Sequence, residues 1–375
     1  MDRRDFSHAR RWAAVTVLLV ASLQCAVTQA QAPQARNRSS GVQTAHESGP
    51  QPEAELQTGI SLTRSGHFSE AISHFLFARG HVSDEFAAEF NLALCYVGVG
   101  EFPKAISILA GLRSGNHENA SVENLLSQAY EGNDQPQEAF EAFQKAVDFT
   151  PKDEKVYLLV AAAFSKKRDY VRHLRVLESG LRNLPDSARL HYELGYVLWQ
   201  LGESGLAQPE FERAASLAPH SVIGYLAGAQ ESFMLGDLTK AAKIARTGIN
   251  EGFTDYQLLA LLGDALIQSG ASPGKADFTE AKDALEKSIA ARPNYASSQI
   301  ALGRLLLQEE RVGAAITHLE LGRQLAPHDP SCYLLLATAY RKSGQPEQAR
   351  AMMAMVAKLN EEQAENRRLA FDKNQ

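Results

Sequence analysis

A small residue returns along this chain every 34 positions: Ala71, Ala105, Ala139, then Ala207 and Ala241, with His173 in the slot between Ala139 and Ala207. The step widens to 40 at Ala281, an insertion of six, and Ala315 and Ala349 then resume the spacing. The prolines form a second, independent series, since Pro151, Pro185 and Pro219 are 34 apart, as are Pro293 and Pro327. A period of this length marks supersecondary units that stack, because each unit alone cannot bury its apolar face and its neighbours complete the core. The 375 residues therefore count units in one array rather than separate domains.

Within a unit the pattern is helical. Leu92, Leu126, Val160, Leu194, Leu262, Leu302 and Leu336 supply apolar packing beside small residues such as Gly59, Ala93, Ala161, Gly195, Ala229, Gly263, Gly303 and Ala337, which let two helices approach closely. Gly66, Gly100, Gly202, Gly236, Gly270 and Gly344 fall where a first helix ends and suit a left-handed turn, and the prolines stop the second helix or start the next. The fifth copy carries Leu194-Gly195, Leu198, Gly202, Ala207, Phe211, Ala214 and Pro219; the third keeps Leu126, Tyr130, Ala139, Phe143, Ala146 and Pro151. This pattern resembles the tetratricopeptide repeat (TPR) family, and nine copies span residues 52–363. The resemblance implies an all-α, right-handed superhelical α-solenoid of about nine helix-turn-helix units. It also implies that the first helices line a concave groove, which in this family commonly holds an extended or helical peptide.

Residues 1–30 read as an export signal: basic Arg3, Arg4, Arg10 and Arg11, an apolar run from Trp12 to Val27, and small residues up to a cleavage point after Ala30. The run falls short of the roughly 20 residues of a membrane-spanning helix, so removal is expected rather than a retained anchor. Arg3-Arg4-Asp5-Phe6 resembles the core of a bacterial twin-arginine signal, which leaves the export route open. Residues 31–51, rich in Gln, Ala, Ser and Pro, read as a flexible linker. The insertion near 271–276, with Ser272-Pro273-Gly274, is expected to lengthen one turn into a projecting loop. Phe253 stands where proline closes other repeats, and residues 364–375 read as a capping helix or tail.

The chemistry is sparse. No His-Glu-x-x-His, phosphate-loop, Gly-x-Ser-x-Gly or Cys-x-x-Cys pattern occurs, so no catalytic residue, metal site or cofactor is expected. His67, His74 and His81 recur at seven-residue steps but straddle turns, and Cys95 and Cys332 read as small packing residues. A formal charge of −6 argues against nucleic acid as a partner.

A protein or peptide partner is expected in the groove, on Tyr192, Tyr196, Trp199, Gln230, Phe233, Met234, Arg304 and Arg341, where aromatic rings with polar tips and guanidinium groups make good contacts. Leu56, Ile60, Phe90 and Leu94 take the same phase near the start of the array. The family's carboxylate clamp is not matched: Asn91 and Asn124 occur without the lysines that would accompany them. The leading expectation is a non-enzymatic interaction scaffold, periplasmic or extracellular in a bacterium. The alternative is a regulatory or targeting subunit of a separate envelope enzyme such as a glycosyltransferase or a polysaccharide-export complex. A dispersed active site from His191, Glu193 and Glu231 is the third reading.

Overall fold

The computed structural model describes residues 51–371. The export signal, the linker except its last residue, and residues 372–375 lie outside these described residues. Regular structure among them is helical, and the chain divides into two compact units at His173/Leu174. The first unit holds α1 (Pro52–Arg64), α2 (Phe68–Ala78), α3 (Glu85–Val99), α4 (Phe102–Leu112), α5 (Ala120–Gly132), α6 (Pro136–Phe149) and α7 (Glu154–Lys167). The division falls within α8 (Tyr170–Asn183). The second unit continues with α9 (Ala188–Gln200), α10 (Ser204–Leu217), α11 (Val222–Met234), α12 (Leu238–Asn250) and α13 (Tyr256–Gln268). It ends with α14 (Ala276–Ala291), α15 (Ala296–Gln308), α16 (Val312–Leu325), α17 (Pro330–Lys342) and α18 (Pro346–Phe371). In chain order the helices alternate as first and second members of nine repeats, in the register the 34-residue period defines.

One close approach recurs in these pairs. A Cβ on Gly195 of α9 would stand 3.0 Å from the Phe211 ring and 3.2 Å from the Ala207 carbonyl of α10. At Gly263 the corresponding distances are 2.5 Å to Leu285 and 3.2 Å to the Ala281 carbonyl, and at Gly303 they are 2.6 Å to Leu319 and 3.4 Å to the Ala315 carbonyl. In α5 the same slot holds Ser127, whose Oγ donates to the Ala139 carbonyl at 2.7 Å. The periodic alanines of the second helices thus carry the carbonyls that the first helices touch. A larger side chain in either row would push the pair apart.

The turn inside each repeat is equally regular. In the fifth repeat Gly202 N–H bonds the Trp199 carbonyl and Glu203 N–H reaches back to Leu198, the double closure of a Schellman turn. The residue at this slot has positive φ whether it is glycine, as at Gly66, Gly100 and Gly344, or not, as at Asp134 (59°), Arg168 (60°) and Glu310 (58°). First helices are started by Asp84, Asn119, Asp153, Ser187, Ser221, Asp255 and Asp329, each capping a backbone N–H with its side chain. A further tie recurs at the junctions: Tyr157 and Tyr333 donate to the carbonyls of Pro151 and Pro327 (2.8 and 2.9 Å), and Gln299 does the same to Pro293 (2.8 Å).

The two irregular places have local explanations. The extra residues divide between a longer turn, 269–275, and additional helix at the start of α14. Pro273, Gly274 and Lys275 are exposed, but Ala271 is buried, so only part of the insertion projects. At Phe253, Gly252 takes φ 98° and the Phe253 amide bonds the Gly248 carbonyl. A glycine turn thus closes this repeat in place of proline, and the Phe253 ring lies 5.9 Å from that of Tyr225.

Two substitutions check the register. Gly195→Leu is expected to lower stability by about 1–3 kcal/mol, because the buried Phe211 ring and a backbone carbonyl block the added carbons. Glu310→Gly is expected to raise it by up to about 1 kcal/mol by relieving a left-handed backbone. Thermal unfolding of the full chain reads both, and shifts of the same sign would contradict the assignment.

Candidate binding faces

Within each unit consecutive first helices pack on one another as well as on their own partners, as α3 does with α5 and α9 with α11. The first helices therefore take the inner side, and their inward side chains make one face in each unit.

In the first unit this face holds a cleft lined by Phe90 and Leu94 of α3, Ser121, Asn124, Leu125 and Gln128 of α5, and Lys155, Val156 and Leu159 of α7, with Asp153 at its edge. Gln128 Nε2 donates to Asn124 Oδ1 at 2.6 Å, leaving a polar strip between apolar walls. Asn124 and Gln128 stand 34 residues on from Phe90 and Leu94. The period alone could have found them as binding candidates, although they are amides where the preceding repeat has hydrophobic residues.

Away from the cleft, α5 buries Glu131, which is 5% exposed, and its Oε2 has no hydrogen-bond partner among the described residues. Burial, with Asp169 adding repulsion, pushes this carboxyl up to about 7, against the opposing pull of Lys167 and Arg172. A carboxyl whose folded value is raised keeps its proton longer in the folded state, so folding loses stability as pH rises from the ordinary carboxylate range through about 7. Glu123, fully buried, is instead held by both the Nε and Nη2 atoms of Arg113 (2.6 and 2.5 Å). His74 pairs with Glu55. Cys95 packs against Thr63 (3.2 Å), and burial pushes its thiol up to about 12. Glu131→Gln is expected to raise the unfolding midpoint increasingly from pH 5 to pH 8. A pH-independent difference would show that Glu131 is already ionised in the folded chain at pH 5.

In the second unit the rings of Tyr192, Tyr196, Trp199 and Phe233 form a continuous run, with centroid separations of 6.2, 5.8 and 6.4 Å. Tyr196, Trp199, Phe233 and Met234 are half-buried and present part of their surface. Tyr192 is only 4% exposed and lies 5.9 Å from Phe211, so it supports this surface from beneath. Gln230 is also buried, and its Nε2 has no partner among the described residues. Arg304 does not stand alone: Nη1 donates to Asp264 Oδ1 of α13 at 3.0 Å; burial raises the Asp264 carboxyl above its ordinary value, and this counterion offsets only part of that rise. Arg341 is exposed at the end of α17, where its Nη2 donates to Thr338 Oγ1 at 3.4 Å. The structure thus joins Tyr196, Trp199 and Phe233 in one ring run on α9 and α11, whereas Arg304 is tied to Asp264 and Arg341 bonds Thr338 of its own helix.

Two residues of the dispersed active-site reading, His191 and Glu193, are otherwise engaged. His191 Nδ1 meets Glu210 (2.6 Å) and Nε2 meets the Pro185 carbonyl (3.0 Å), the same junction tie that Tyr157 makes. Glu193 pairs with Arg189 at 2.8 Å. Cys332 is a packing residue whose Sγ donates to the Leu319 carbonyl at 3.3 Å.

Three sequence models described as tetratricopeptide repeats match the chain, one at residues 124–153 and 188–221, one at 274–330 and one at 306–369. With the alternating helices of the described residues, these matches make the chain a tetratricopeptide-repeat protein, a class of protein-interaction scaffold. Among solved structures, the APC/C hetero-tetramer Cut9–Hcn1 is 16% identical over 86% of this chain and 67% of that one, with a TM-score of 0.48. A thermophilic TPR protein of Thermus thermophilus is 20% identical over 48% of this chain and 98% of its own, with a TM-score of 0.41. A tetratricopeptide repeat protein of Parabacteroides merdae is 15% identical over 78% and 99%, with a TM-score of 0.44. No curated protein matches the sequence. No helix among the described residues is long and apolar enough to cross a membrane.

Proposed function

We propose that the chain is a non-enzymatic scaffold of the cell envelope that holds a segment of a partner protein against the inner faces of its first helices. The observation that carries this reading is the half-buried run Tyr196–Trp199–Phe233, three large rings in contact on neighbouring first helices with surface left over for a partner. Rings held edge-on by one another lose little freedom when a ligand packs on them, which is why such groups dominate binding energies. The amide strip of Asn124 and Gln128 in the first unit offers donors and acceptors to the backbone of an extended segment. Support for the envelope comes from the basic-then-apolar pattern of residues 1–30.

The test is affinity capture from envelope extract with residues 31–375, beside the Tyr196→Ala, Trp199→Ala double variant. A saturable partner held by the wild-type chain is expected to be lost from the variant. The variant should also lose about 2–4 kcal/mol of stability as three ring contacts disappear. Retention of the same partner by a folded variant would move the binding surface elsewhere.

A further inference from the structure

The last helix begins as the second member of the ninth repeat, with Ala349 buried at the periodic slot. It then continues to a total of 26 residues, whereas α10, α12 and α16 end after 13 or 14. Its far half is not simply solvated. Leu359 is 2% exposed, and Glu362, Asn366, Leu369 and Ala370 are half-buried. These residues return every three or four positions, so one stripe of the helix is covered.

The polar contacts show where that stripe lies. Gln363 Nε2 donates to the Gln200 carbonyl at 2.8 Å, and Arg367 Nε donates to Glu203 at 2.5 Å, both across more than 160 residues of sequence. Arg367 also passes beside Gly202. His328, between α16 and α17, approaches Glu362 at 3.5 Å. Gln363 and Arg367 are one helical turn apart, and so face the same way. The Gln200 carbonyl ends α9, at the negative end of its dipole, and Glu203 adds a carboxylate there. An amide and a guanidinium thus meet a carbonyl and a carboxylate. Gln200 directly follows Trp199, which puts this anchor at the rim of the aromatic face.

We propose that the α9–α10 rim is a docking surface for an amphipathic helix presenting an amide and a guanidinium one turn apart, and that the chain's own α18 is its resident ligand. A partner helix of that chemistry competes with the tail; this consequence rests on the scaffold reading, but the docking itself does not. The contacts suit a displaceable ligand, because Arg367 and Gln363 are exposed and such pairs contribute little individually. The covalent link compensates by giving the tail a high effective concentration at the rim.

The test uses the full chain and a fluorescein-labelled synthetic peptide of residues 355–371. A chain carrying Gln363→Ala and Arg367→Glu has a disabled tail and an intact rim, and is expected to bind the peptide at least tenfold more tightly than wild type. A chain carrying Glu203→Arg alone releases its own tail and reverses the charge of the rim, so it should not bind the wild-type peptide but should bind a peptide with Arg367→Glu. Hydrogen exchange gives a second readout: amides of residues 359–371 should lose protection in the Glu203→Arg chain and regain it in the Glu203→Arg, Arg367→Glu chain. Equal peptide binding by wild type and tail variant, absence of binding by both, or unchanged exchange would overturn the proposal. Because only the chain and its own tail sequence are used, such a failure is separate from a failure of the capture experiment.

Discussion

The architecture depends on how closely the first helix of each repeat approaches the second. At Gly195, Gly263 and Gly303 the backbone of one helix is set against a side chain and a carbonyl of the other, and at Ser127 a hydroxyl fills the same gap with a hydrogen bond. That spacing fixes the angle of the pair and lets the next first helix settle on the second. Rings such as Phe75, Phe143 and Phe211 are fully enclosed as a result. Everything else in the repeat positions this contact: the acidic and serine caps set where the first helix begins, and the Schellman turn sets where it ends.

The left-handed slot shows how strongly the geometry is imposed. Asp134, Arg168 and Glu310 adopt it although glycine would do so without strain, because the two hydrogen bonds of the turn and the packing on either side admit no other path. The junction tie is similarly indifferent to residue type. Tyrosine, glutamine and histidine each reach the carbonyl of a preceding proline. Chemistry that looks functional in isolation, such as the pairing of His191 with Glu210, is here part of the joinery.

The helices, their pairing and the periodic core were legible because the 34-residue period constrains several residue classes at once. The binding faces were legible only in part. Phase places Tyr192 and Tyr196 alike toward the inside, but phase does not report depth: Tyr192 lies against Phe211, while Tyr196, one turn on, keeps some exposure. Arg304 has a groove-lining phase, but its counterion, Asp264, sits 40 residues earlier, across the insertion that breaks the simple count. Asn124 and Gln128 were reachable by adding one period to Phe90 and Leu94, but their amide character disguised the correspondence. The return of α18 to Gln200 and Glu203 had no local signal, since it depends on how far successive repeats turn.

That return carries a consequence for the order of events in folding. Joining Gln363 to Gln200 in an unfolded chain would close a loop of more than 160 residues, at an entropic cost growing with the logarithm of its length and amounting to several kcal/mol. Two exposed polar contacts do not offset such a cost. The stacked repeats remove it by holding both ends at a fixed separation, so the contact forms only after the fifth to ninth repeats are in place. During synthesis at about 5–20 residues per second, the fifth repeat therefore spends on the order of ten to thirty seconds with its rim bare before the tail emerges. A newborn chain and a finished one thus present different surfaces at the same residues, and a partner that arrives during synthesis meets no competitor.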